Sequence, residues 1–159
     1  MEPAVTCLVA ILAESAEGQA LLQHTRQMLD SFGVPVVERM VRDPAALREI
    51  VKELESAGAS IYIVANASLN PLSAAASEIT TNPVLAEPLD RPGLPALEAL
   101  RASAREGTVA GTLAIGKAGA INAALFAVAI LANTNADLRA KLERLRQEQT
   151  AKVLTETLG

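Results

Sequence analysis

Five short runs rich in Val, Ile, Leu and Ala constrain this chain most, because segments with helical spacing separate them. They are residues 5–12 (VTCLVAIL), 34–41 (VPVVERMV), 60–65 (SIYIVA), 83–86 (PVLA) and 108–115 (TVAGTLAI). A strand that is apolar on both sides must be covered on both faces, as in a parallel sheet held between helices. Residues 15–32 place Leu21, Met28, Leu29 and Phe32 on one helical face, with Gly33 at the C-cap position. Asp43-Pro44 opens a second helix with an N-cap and a first-turn proline; Leu47, Ile50, Val51 and Leu54 are its stripe and Gly58 its end. Residues 71–80, 96–105 and 117–132 read as further helices, and Asn135 can cap a last one through Thr157. Residues 87–95 hold three prolines and a glycine and read as a loop. This alternation predicts an α/β, flavodoxin-like three-layer sandwich with a parallel five-stranded sheet in the order 2-1-3-4-5 and a C-terminal helical extension. The 159 residues suffice for a single domain, 1–159, in which 133–159 is expected to serve as an oligomerisation helix.

Composition narrows the function classes. Net charge is −4 and no basic stretch could track phosphates, so nucleic acid is not an expected partner. Two Phe, one Tyr and no Trp leave no base-stacking platform. The single cysteine, Cys7, rules out an internal disulfide framework and reads as a small buried hydrophobe. The single histidine, His24, rules out a site built from several imidazoles, and no metal or other cofactor is expected. Glu2 and Pro3 stand where a signal peptide would carry basic residues, so the expected address is the cytoplasm. Between Gly107 and Ala136 the only charge is Lys117. That stretch is too broken by Gly119 and Asn122 for a membrane span of about 20 apolar residues. It reads instead as a helix buried on all sides, which a chain this small completes with a second copy of itself.

In such a sheet, ligands bind beyond the carboxyl ends of the strands. The loops to inspect are therefore 13–18, 39–43, 66–71, 87–92 and 116–119. From these, Ser15, Arg42, Asn66 and Lys117 are the candidate phosphate- or nucleotide-binding residues. Each also has a structural reading. Ser15 can cap a helix, Arg42 can pair with Asp43, Asn66 and Asn70 can shape a turn, and Lys117 can snorkel. His24 falls mid-helix on the flank of the apolar stripe, a boundary position away from the strand ends.

Residues 111–125 (GTLAIGKAGAINAAL) resemble, almost without a break, the C-terminal signature of the carboxyaminoimidazole ribonucleotide mutase / aminoimidazole ribonucleotide carboxylase family of purine biosynthesis. Gly33-Val34-Pro35, Asp43-Pro44 and the closing Arg146-Gln147-x-x-Thr150-x-x-Val153-Leu154 are similar to that family in weaker form, so the resemblance covers nearly the whole chain. It implies a flavodoxin-like subunit of a homo-octamer that handles a phosphorylated aminoimidazole nucleotide without metal or organic cofactor. The family moves a carboxyl group from an exocyclic nitrogen to a ring carbon. That change needs a proton carried on and off the ring, which a histidine does near neutral pH.

Three loops build the family's site: Gly-Ser-x-Ser-Asp, Ser-Ala-His-Arg and Gly-Gly-Ala-Ala-His-Leu-Pro-Gly. Here the first reads Glu14-Ser15-Ala16-Glu17-Gly18. Ser15 matches, the aspartate position holds Gly18, and Glu14 sets a carboxylate where the family wraps backbone around a phosphate. The second reads Arg39-Met40-Val41-Arg42; the arginine is kept but the histidine position falls on Val41. In the third, Pro71 matches and the second histidine falls on Leu69. The expected function is a homo-oligomeric family member without the ancestral mutase activity, acting as scaffold, regulatory subunit or binding protein. Two alternatives stand beside it. One is a diverged mutase or carboxylase using Glu14 or Glu17 as proton carrier. The other is a binder of a different small phosphorylated metabolite.

Overall fold

The computed structural model describes residues 8–157 apart from Asn70, Arg91, Leu94 and Arg105. The readings made for Cys7 and Asn70 fall outside the described residues. The chain runs β1 (Leu8–Ala13), α1 (Ala16–Phe32), β2 (Val36–Met40), a 3-10 turn (Pro44–Ala46), α2 (Leu47–Ser56), β3 (Ala59–Asn66) and α3 (Leu72–Ile79). It continues with β4 (Val84–Pro88), α4 (Ala96–Ser103), β5 (Gly111–Thr112), α5 (Gly116–Leu131) and α6 (Ala136–Thr157). The five strands form one parallel sheet in the order β2-β1-β3-β4-β5, as the alternation of apolar runs required.

The period of two along each strand divides the core between the two faces of the sheet. Val9, Ile11, Ile61, Ile63 and Leu85 point to one side, where Leu22 and Leu29 of α1 and Ala123, Ala124, Ala127 and Val128 of α5 cover them. Ala10, Leu12, Tyr62, Val64 and Val84 point to the other, under Leu47, Val51 and Leu54 of α2 and Leu72 and Ala76 of α3. Ala123, Ala124 and Ala127 of α5 are fully buried, and their small side chains let the helix lie close against α1 in a chain almost without aromatics. α6 packs back through Leu138 and Leu142, and Lys141 Nζ donates to the Phe32 carbonyl at 3.1 Å. That ammonium sits at the C-terminus of α1, where the helix dipole favours a cation. Gly33 follows in the left-handed region at φ 73°, as a C-cap requires.

The structure corrects several boundaries. The stripe of α1 is Leu22, Thr25, Leu29 and Phe32, with Leu21 and Met28 on its half-buried flank. β5 is a two-residue edge strand rather than a run over 108–115. β4 reaches Pro88, so Glu87 belongs to a strand and not to the proline-rich loop. The reason is pairing: Ala65 and Asn66 of β3 extend the parallel ladder to Glu87 and Pro88. Glu87 is wholly buried, although the prolines and glycine that follow it made the segment read as a loop.

Candidate functional site

The loops leaving β1, β2 and β3 meet at the carboxyl end of the sheet around a solvent-open cleft of about 500 Å³. Glu14, Ser15, Val41, Arg42, Pro44, Ala67 and Ser68 line it. β1 lies between β2 and β3, so successive connections leave it in opposite directions. That divergence opens the crevice in which folds of this kind bind ligands.

Each wall has a local cause. Ser15 is extended (φ −141°, ψ 161°), and its Oγ accepts a hydrogen bond from the Gly18 amide at 3.0 Å, so it caps α1. Gly18 is buried, and a Cβ there would lie 3.2 Å from Cβ of Ala65, so glycine lets the first turn of α1 rest on β3. The Val41 amide donates to the Ala13 carbonyl at 2.8 Å and carries the β1–β2 pairing one residue further. The Val41 side chain is buried and packs with Leu12 and Leu47. Asp43 Oδ1 accepts from the Ala45 amide at 2.9 Å and caps the 3-10 turn, which leaves Arg42 exposed on the cleft edge. Glu14 crosses the cleft floor: its Oε1 accepts a hydrogen bond from the Ala67 amide at 2.8 Å, joining loops 53 residues apart in sequence.

Of the four candidate ligands, the structure brings together Ser15 and Arg42. Asn66 turns inward. Its Nδ2 donates to Ser73 Oγ at 2.7 Å and to Ser103 Oγ at 2.8 Å, while its Oδ1 accepts from the Ser73 amide at 3.1 Å. Every part of that amide is engaged, so it locks β3 to α3 and α4 rather than facing the cleft. Lys117 is exposed at the start of α5, outside the lining of this cleft. Gly116 beside it lines a second opening with Glu17, His24 and Asp90, and His24 is half-buried there. At the two positions matched to the family's histidines, Val41 forms wall and Leu69 is 56% exposed. The residues lining the cleft include no imidazole. Among the described residues no three His, Cys, Asp or Glu side chains are grouped to hold a metal ion.

Two features went unread in the sequence. One is the Glu14–Ala67 bridge, whose signal was a charged residue directly after a fully buried strand. The other is Glu87. Burial pushes its carboxyl up to about 7, against the opposing pull of the Thr25 hydroxyl, which lies 2.8 Å from Oε1. Its signal was position: Leu85 and Glu87 alternate on one face of β4.

Known proteins agree with this architecture. The family described as AIR carboxylase matches residues 8–152. The N5-carboxyaminoimidazole ribonucleotide mutase of Vibrio vulnificus (strain CMCP6) is 34% identical over 151 residues, covering 92% of this chain and 94% of its own length. The enzyme of the same name from Pseudomonas aeruginosa is 32% identical over 155 residues, covering 94% and 95%. The one from Escherichia coli (strain K12) is 32% identical over 151 residues, covering 92% and 89%. The crystal structure of Treponema denticola PurE superposes with a TM-score of 0.81 at 18% identity, over 94% of this chain and 95% of that one, which speaks for the fold alone. The family match over residues 8–152 and mutase relatives that cover more than nine-tenths of the chain show that it belongs to the AIR carboxylase (PurE) family.

Proposed function

We propose that this chain is a PurE-family subunit without mutase activity, acting as a homo-oligomeric binding or scaffold protein. One observation carries the reading: the cleft at the switch point is walled by Val41 and Ala67, and its lining includes no imidazole. The reaction named for the relatives requires a proton to be delivered to and removed from a ring carbon. That takes a group able both to hold and to release a proton within hydrogen-bond reach. Valine can do neither. The only carboxylate in the lining, Glu14, is tied to the Ala67 amide and supports the loops. What remains is a recess with Arg42 at its edge, suited to holding a small molecule. α5 and α6 present a separate apolar face suited to self-association.

The test is a spectrophotometric assay with carboxyaminoimidazole ribonucleotide, using an active relative as positive control. The expected result is no turnover above the uncatalysed rate. Turnover that disappears in Glu14→Gln would overturn the reading and make Glu14 the proton carrier of a diverged mutase.

A further inference from the structure

We propose that Glu14 determines which ligands the cleft can take, by filling an anion position from within the chain. Backbone amides at the carboxyl end of a sheet attract anions, and a phosphate ester bound in this cleft would be held by them. The Ala67 amide is such a donor on the cleft wall. It already donates, at 2.8 Å, to Glu14 Oε1. The Ser15 oxygen accepts from the Gly18 amide as a helix cap, which leaves its own proton as a neutral donor only. An incoming phosphate would have to displace a carboxylate from its amide and then sit beside that carboxylate's charge. Arg42 offers partial compensation only, since it lies exposed at the edge and no ion pair within 4.0 Å joins it to Glu14. Glu14 therefore excludes phosphate esters. The cleft selects uncharged or cationic polar molecules that present a hydroxyl or amino group to the carboxylate. This deepens the reading of the cleft as a ligand site without acid–base chemistry, and it rests on that reading.

The experiment titrates inorganic phosphate and ribose 5-phosphate into the full-length protein and two variants, followed by calorimetry. Glu14→Gln removes the charge and can keep the bond to Ala67. Glu14→Ala removes both. Thermal melting establishes that each variant is folded, and the Gln variant keeps the test valid where the Ala variant is not. The expected result is a Kd above about 10 mM for the native protein and phosphate-ester binding about tenfold tighter, near millimolar, in Glu14→Gln. A further gain is expected in Glu14→Ala, where the amide is freed. Micromolar binding of ribose 5-phosphate by the native protein overturns the inference, as does a folded Gln variant that binds no better. The turnover assay separates the two failures: a silent protein that binds phosphate sinks only the role of Glu14, whereas turnover, whose substrate is itself a phosphate ester, sinks both that role and the absence of mutase activity.

Discussion

Glu87 shows how one buried side chain couples the fold to pH. Thr25 Oγ1 lies 2.8 Å from Glu87 Oε1 and 3.1 Å from the Ala120 carbonyl, yet a hydroxyl has one proton to give. If Glu87 is protonated on Oε1, it donates to Thr25, which then donates to Ala120, and both contacts are satisfied. Ionised, it draws the Thr25 proton to itself and leaves a charge in an apolar layer where Oε2 has no partner. Burial therefore raises its carboxyl to about 7 from an ordinary 4.5. The folded state holds the proton more tightly than the unfolded chain, so stability falls as pH rises. The contribution is whole below about pH 4.5, declines across the interval, and is lost above about pH 7. The full effect is roughly 3 kcal/mol. Glu87→Gln keeps a partner for Thr25 without the charge. Urea unfolding from pH 5 to 8 should show the variant gaining on the native protein as pH rises; a constant difference across that range would refute the account.

At the scale of elements, α5 is placed by its glycine and alanines. A Cβ on Gly119 would stand 2.5 Å from the carbonyl oxygen of Ala114, a backbone atom that cannot swing aside. The first turn of α5 therefore packs directly on the strand-to-helix connection. On intrinsic propensity alone, alanine in a helix is better than glycine by about 1 kcal/mol. Gly119→Ala should nonetheless destabilise by about 3 kcal/mol, because the connection must shift to admit the methyl. Chemical denaturation measures this, and a stabilised variant would show that the approach is not constraining. The same logic explains why the GTLAIGKAGAINAAL segment was the most legible part of the chain. Gly119 within it answers to a backbone contact that leaves no room for a side chain.

For the whole molecule, the α5–α6 face is the surface on which the proposed self-association is to be tested. A groove of about 650 Å³ opens there among Leu113, Leu125, Phe126, Leu142 and Leu145. Leu113 is 36% and Phe126 48% exposed, and farther along α6 Val153 and Leu154 stand more than half exposed. Apolar surface gathered in this way gains by burial against another copy. We expect a homo-oligomer in light scattering, an octamer on the family pattern, and Phe126→Arg should lower its mass while leaving the helical signal intact. A native protein that stays monomeric at tens of micromolar would refute the assembly.

The order of elements and the sheet topology were written in local patterns, because strand and helix periods and the demand to cover apolar faces act over a few residues at a time, whereas α5, read as buried on all sides, leaves Asn122 and Phe126 exposed in the single chain. That Val41 and Leu69 stand where the resemblance sets histidines is a reading of residue identity alone. Side-chain direction was not legible. Asn66 sits at the end of a strand whose neighbours point toward a cleft, yet Ser73 and Ser103 claim its amide from inside. Glu14 read as a site carboxylate and candidate proton carrier and Glu87 as part of a loop, and neither reading foresaw the amide 53 residues away and the hydroxyl 62 residues away that hold them. Such partners come from distant parts of the chain and meet only when the sheet assembles. The sequence alone determined which elements form and which side chains their loops carry, and tertiary structure decided which partners those side chains meet.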